Sequence, residues 1–348
     1  MLLNKSSRIY VAGSETLIGA ALHAQLLNLG YEHTIPATDE PDLTDATQVD
    51  AFFVEKRPEY VFFAAGKSGG IRANQTIPAV LMRDNLLVAT HVIHGAFRHG
   101  VRKLLYLASS CSYPRLAPQP MRIESLWTGP LEQTNEAYAV AKLAGLKLCQ
   151  AYRQQYAVDF ITAIPANVFG PNDDFSAEDS HVIPGLIRRF HEARMEHRSE
   201  FLIWGTGQAR REFIYARDLA DACLFVMAHY AEPEPINLGC GCDLSIAETA
   251  RAIAEVIGYR GRLGFDTSRP DGMPYKGLDS SKLLALGWRP ATEFRTALVE
   301  TYEWFLQHLA SKSDSALATQ FSDASQKRCD GSTPLRSVAK AGAHCYRN

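Results

Sequence analysis

The chain of 348 residues has no long apolar run, no excess of charge of one sign and no cluster of cysteines. Each absence removes a class of function. Lys and Arg total 36 against 38 Asp and Glu, and the formal net charge of −2 gives no electrostatic ground for binding nucleic acid or an anionic membrane. No stretch reaches the length of a membrane span, and Met1–Arg8 lacks the apolar core of a signal peptide. A cytoplasmic protein is expected. Seven cysteines (Cys111, Cys149, Cys223, Cys240, Cys242, Cys329 and Cys345) are scattered and odd in number. Cys240 and Cys242 alone are too little for a zinc site, so free thiols and no metal are expected.

What is there is strand and helix in alternation. Arg8–Ala12 reads as a buried strand, Gly13–Gly19 as a glycine turn, and an apolar-periodic helix follows to about Leu29. Such a unit opens a dinucleotide-binding fold, with the pyrophosphate at the helix N-terminus. A second strand is expected near Glu32–Ile35, then a helix to about Lys56 and a strand over Tyr60–Ala65 that runs into the glycine-rich loop Gly66–Ile71. Asn85 is read as opening a helix through His99, and Arg102–Leu107 and Phe160–Ala166 as further strands. The alternation predicts an α/β fold with a doubly wound parallel sheet. From His181 the pattern is less regular: strand, turn and strand over Phe201–Ile214, a strand at Ile236–Gly239, and helices over Asp218–His229, Ile246–Ile257, Ser281–Leu286 and Arg295–Leu309. The expected division is a dinucleotide-binding domain over 1–170 and a smaller mixed α/β substrate lobe, mainly over 171–310, with some segments returning to the first domain. The remainder, 311–348, is rich in small polar residues and reads as a disordered tail.

Ser109, Ser110 and Cys111 follow the Arg102–Leu107 strand directly, which puts hydroxyl and thiol groups at the carboxyl edge of the sheet, where open α/β sheets bind ligands. Tyr138 and Lys142 stand four apart in a run of helix formers (Ala137–Gln155) and share one helical face. An ammonium beside a phenol is expected to lower the phenol's pKa and make it an acid or base near neutrality. Ser109 would hydrogen-bond the same carbonyl oxygen.

This serine and Tyr-x-x-x-Lys arrangement resembles the short-chain dehydrogenase/reductase superfamily, in its extended sugar-nucleotide branch. Lys67–Ile71, Ser109–Pro114, Asn135–Lys142, Ser180–Pro184, Trp204–Gly207, Arg211–Phe213, Arg269–Asp271 and Leu286–Trp288 together resemble the GDP-L-fucose synthases, from about Arg8 to Leu309. The resemblance implies 3,5-epimerisation and 4-reduction of GDP-4-keto-6-deoxy-D-mannose, with Cys111 and His181 moving protons at C3 and C5. Tyr138 would protonate the C4 oxygen, Ser109 would steady it, and Lys142 would hold the cofactor ribose. For NADP(H) it implies contacts from Gly13, Ser14, Glu15, Thr16, Leu17, Ile18 and Gly19. Further contacts are implied at Asp42, Leu107, Lys142, Pro165, Asn167, Val168 and His181. Arg189, Trp204, Arg211, Asp271 and Lys276 would bind the GDP-sugar. A homodimer through the helices carrying Asn85–His99 and Tyr138–Gln155 is a superfamily habit.

The chain departs from the pattern at three positions. Thr16 replaces the middle glycine of the loop, Glu15 stands where the family carries an arginine, and no basic residue lies near Thr38. The last two leave the 2′-phosphate of NADP without its usual cations and favour NAD(H), unless Lys67 or His33 comes close. GDP-L-colitose synthesis, a C4-only reductase or epimerase, and a silent dinucleotide-sensing protein are the competing readings.

Overall fold

A computed structural model of the chain describes residues 3–177, 179–269 and 271–309, so the tail expected over 311–348 lies outside the described residues. The described residues up to Trp304 belong to one compact unit, and 305–309, which are helical, to a second.

The first half winds a parallel sheet. β1 (Ile9–Ala12) leads through the glycine turn into α1 (Leu17–Asn28), and α2 (Ala46–Lys56) precedes β2 (Tyr60–Phe63). A short α3 (Ile71–Thr76) and a long α4 (Pro78–Arg98) carry the chain to β3 (Lys103–Leu107). α5 (Glu136–Tyr156) then leads to β4 (Asp159–Pro165). These four strands are buried almost throughout, as near-continuous apolar runs in a sheet covered on both faces must be. α1 packs with α7 (introduced below), while α2, α4 and α5 pack with one another, giving the two helical layers of a doubly wound fold.

The rest of the unit is β5 (Asn167–Phe169), α6 (Val182–Met195), β6 (Glu200–Trp204), β7 (Arg210–Arg211), β8 (Phe213–Tyr215) and α7 (Ala216–His229). There follow β9 (Ile236–Leu238), β10 (Leu244–Ser245), α8 (Ile246–Ile257), β11 (Arg262–Asp266), β12 (Tyr275–Lys276), α9 (Ser281–Ala285) and a helix from 294 to the end of the unit. The sheet order is β1-β2-β3-β4-β9, all parallel, so β9 returns to the first sheet from deep within the second half. Small sheets of β10-β7-β12, β11-β6 and β5-β8 build the remainder. In β6 burial alternates, with Phe201 and Ile203 inward and Leu202 and Trp204 outward.

Two expectations need correction. The strand at Glu32–Ile35 is a single bridge between Ile9 and Thr34. Ile9 donates to the His33 carbonyl (3.2 Å) and accepts from Ile35 (2.8 Å), and Pro36, with no N–H, carries the ladder no further. The helix read as opening at Asn85 starts at Pro78, whose fixed φ suits the first helical position. Asn85 lies in mid-helix and donates to the carbonyls of Leu81 (2.7 Å) and Lys67 (2.9 Å).

Candidate active site

The loop Gly13–Gly19 is shaped by close approach. Gly13 has φ +82°, and a Cβ there would stand 2.5 Å from Ala65 Cα at the end of β2; one on Gly19 would stand 1.9 Å from the Gly13 carbonyl oxygen. Only glycine lets loop, helix end and neighbouring strand meet this way. Thr16 does not need to be glycine: its φ is −74°, and its hydroxyl caps α1 by accepting from Gly19 N (3.1 Å) while donating to Gly13 O (2.7 Å). Helix geometry leaves the N–H groups of Leu17 and Ile18 without an intrahelical partner, so the end of α1 presents donors and a positive dipole to a pyrophosphate. Ser14 is buried and Glu15 exposed. These features fit a dinucleotide.

Glu40, unremarked in the sequence, lies against this loop. Its Oε1 accepts from Gly13 N (2.6 Å) and from the Tyr10 phenol (2.7 Å), and burial raises its pKa. Asp42, expected near the adenine, is exposed and accepts from Thr44 N (2.9 Å) and Thr44 Oγ1 (2.7 Å), a local turn beside the true α2 cap, Asp45. Lys67 ion-pairs with Asp84 at 2.5 Å.

At the edge of β3 the turn Ser110–Ser112 carries the reactive groups. The Ser109 side chain stands beside the half-buried Tyr138 phenol and favours its ionised form. Lys142 is buried one helical turn on and donates to the carbonyls of Ala65 (3.2 Å) and Leu107 (3.3 Å); its burial pushes its pKa down to about 8. A second strand edge therefore ties into the site through one ammonium. The expected lowering of the phenol is overturned: burial, followed by the neighbouring Cys111, raises the Tyr138 pKa, and Ser109 only partly offsets them. Lys142 directs its ammonium at these two backbone carbonyls.

Cys111 is half-buried and accepts from two side chains, Asn135 Nδ2 at 3.2 Å and Lys276 Nζ at 3.5 Å. Asn135 Oδ1 is buried without a hydrogen-bond partner among the described residues. Lys276, expected on the GDP-sugar, thus reaches the thiol from β12. His181, just before α6, is half-exposed, with Nδ1 3.7 Å from Asp173 Oδ1. The nearby Asp173 carboxylate raises the His181 pKa, and burial, with a smaller contribution from Lys276, opposes it. Asp173 and Asn135 were missed as site residues; Asn135 opens a stretch that carries the resemblance, whereas nothing local in the sequence distinguishes Asp173 from an ordinary loop residue.

The other expected contacts divide. Arg189 lies 5.1 Å and Arg269 5.3 Å from the exposed Trp204 ring, and Arg189 Nη2 donates to Leu202 O (2.6 Å). Parallel pairing sets Arg211 on β7 beside Lys276 on β12. Arg211 Nη1 donates to Met273 O at 2.6 Å. Asp271 braces the turn after β6: Oδ1 accepts from Thr206 N and Oδ2 from Thr206 Oγ1, both at 2.7 Å. Asn167 Nδ2 donates to Glu212 O (2.7 Å), while Pro165 ends β4 and Val168 lies in β5.

The model of the NAD dependent epimerase/dehydratase family matches residues 9–239. GDP-L-fucose synthase 1 of Arabidopsis thaliana is 47% identical over 310 residues, covering 89% of this chain and 96% of that protein. The GDP-L-fucose synthase of Escherichia coli strain K12 is 43% identical over 311 residues, covering 86% and 97%. Among solved structures, a GDP-L-fucose synthetase from Naegleria fowleri bound to NADP is similar at a TM-score of 0.81, with 29% identity over 89% of this chain and 97% of that one.

Proposed function

The chain belongs to the NAD dependent epimerase/dehydratase family, and from that premise we propose that it converts GDP-4-keto-6-deoxy-D-mannose to GDP-L-fucose. One observation carries the reading. The Ser109–Tyr138 pair and a cysteine approached by an amide and an ammonium share one sheet edge beside a dinucleotide loop.

The 4-keto group acidifies the hydrogens at C3 and C5. Cys111 and His181 are the proton-transfer pair for these carbons, with Asn135 and Lys276 fixing the sulfur and Asp173 favouring protonated His181. NADP(H), when bound, supplies the hydride for C4. Tyr138 then donates its proton to the developing C4 alkoxide, and a phenol held protonated by burial starts in the correct state. Ser109 hydrogen-bonds the same oxygen. Lys142 braces the β2 and β3 edges and would hold the cofactor ribose. Arg189, Arg211 and Lys276 are the cations for the diphosphate, where arginine's planar fork pairs two oxygens at once. The relatives support NADP(H), and the exposed Glu15 weakens that preference enough for NAD(H) to serve. The working form in this proposal is a cytoplasmic homodimer joined along α4 and α5, where Phe97 and Tyr156 stack at 4.3 Å.

The test is incubation with the ketosugar and each reduced nicotinamide, then identification of the sugar. GDP-L-fucose is expected. A C4-reduced sugar with C3 and C5 uninverted would make the protein a C4-only reductase, and a faster reaction on the ketosugar lacking the 3-hydroxyl would make it a colitose-type enzyme.

A further inference from the structure

The loop after β9 holds a second reactive pair that the chemistry above leaves unused. Cys240 Sγ and Cys242 Sγ are 3.2 Å apart, with Cys242 exposed and Cys240 half-buried. Gly241 between them has φ +75°, a left-handed conformation that folds the two side chains to one side. Cys240 Sγ also lies 3.3 Å from each of the carbonyl oxygens of Phe213 and Cys242, which are alternative acceptors for its single S–H. A disulfide requires about 2.05 Å, so the sulfurs need to close by only about 1.2 Å.

We propose that Cys240 and Cys242 form a reversible thiol–disulfide site that exchanges with small disulfides of the glutathione class. Their own contact prepares the roles. The contact between the two sulfurs lowers the Cys242 pKa to about 7 and raises that of Cys240, and with Cys242 the more exposed of the two it is the nucleophile. Cys242 thiolate attacks one sulfur of the small disulfide, its S–S bond breaks, and the departing thiolate takes a proton. Cys240 then loses its proton and attacks Cys242 Sγ, expelling the second small thiol. Two electrons pass from the protein dithiol to the small disulfide, and both protein protons end on the two released thiols. A ring closed over a single intervening residue is small, which keeps the bond readily reducible.

The loop is wired to the sugar-binding strands through a buried carboxylate. Glu212 Oε1 accepts from Gly241 N (2.9 Å) and Oε2 from Leu278 N (2.7 Å), while Glu212 N donates to Lys276 O (3.2 Å). Two residues past Cys242, β10 pairs with Arg210–Arg211. Closing the disulfide pulls on Gly241 and so on Arg211 and Lys276. This kinetic consequence rests on the function proposed above, whereas the thiol chemistry stands without it.

The full chain is equilibrated with mixtures of reduced and oxidised glutathione, quenched, alkylated and mapped by mass spectrometry. The peptide containing both cysteines is expected to lose two hydrogens and to recover them on reduction. Cys240→Ser should trap glutathione on Cys242, and phenylarsine oxide, which bridges two sulfurs, should protect the wild-type peptide. Two alkylated thiols, or a separate glutathione on each, in oxidising mixtures would overturn the site. Oxidised wild type should show a severalfold higher KM for the GDP-sugar with kcat little changed, and Cys242→Ser should not. An unchanged KM in protein shown to carry the disulfide would refute the coupling alone.

Discussion

Replacing Glu15 by arginine tests the cofactor preference at its most exposed point. The side chain stands in water on the Gly13–Gly19 loop, so a solvent dielectric applies. The change moves its charge by two units against a 2′-phosphate of about −2, and at about 7 Å in water that amounts to about 2.4 kcal/mol. Screening at physiological salt, with a Debye length of about 8 Å, leaves about 1 kcal/mol, roughly fivefold in the ratio of kcat/KM for NADPH over NADH. Direct guanidinium–phosphate hydrogen bonds would add about 1.5–3 kcal/mol and carry the shift to roughly sixtyfold or more. One substitute offered by the sequence is already engaged: Lys67 pairs with Asp84. The wild type should therefore use NADH readily. The assay is the kcat/KM ratio for wild type, Glu15→Gln and Glu15→Arg at low and high salt. Through-space attraction predicts a graded series that collapses near 1 M salt, where the Debye length is about 3 Å. A wild type that strongly prefers NADPH, or a ratio unmoved by Glu15→Arg, would refute the reasoning.

Tyr138→Phe should slow reduction by about a hundredfold to ten-thousandfold while deuterium from solvent still enters the ketosugar at C3 and C5; full reductive turnover would sink its role as proton donor. Cys111→Ser and His181→Asn should each impair inversion, with the serine variant giving some C4-reduced, uninverted sugar. Wild-type yields of the L-sugar from either would remove that residue from the mechanism. Asp173→Asn should move the alkaline limb of the epimerisation profile to lower pH. Asp173 raises the His181 pKa by stabilising its charged form, a contribution fully present below the ordinary histidine value and lost as pH rises through the raised one. A limb that stays in place after the substitution would separate Asp173 from His181.

Local periodicity made much of the fold legible. Tyr60–Phe63 and Lys103–Leu107 are apolar runs of strand length, and both lie within the expected spans. The failures fall where a side chain's usual preference met a stronger competitor. Asparagine favours helix starts, yet Asn85 lies in mid-helix because Pro78 opens the helix seven residues earlier and the Lys67 carbonyl takes its amide. Thr16 looked like a defect in a glycine loop because the sequence does not display φ. Once that angle is seen to be negative, the same hydroxyl becomes the cap that α1 requires.

The candidate site follows the same division, and sequence separation is its measure. Tyr138 and Lys142 are four apart, so a helix alone brings them to one face. Cys111 and Lys276 are 165 apart, and Gly241 meets Glu212 across 29 residues. No spacing rule reaches such pairs, because each depends on β9 and β12 returning from the second half of the chain. Lys276 illustrates the consequence. Resemblance assigned it to the GDP-sugar; the fold sets its ammonium against the Cys111 sulfur and its backbone against Glu212. A cation shared between diphosphate and thiol would let substrate binding itself alter what holds the sulfur, since the ammonium cannot serve both fully at once. Proton transfer at C3 and C5 would then respond to occupancy of the diphosphate subsite, a coupling that neither strand edge could produce alone.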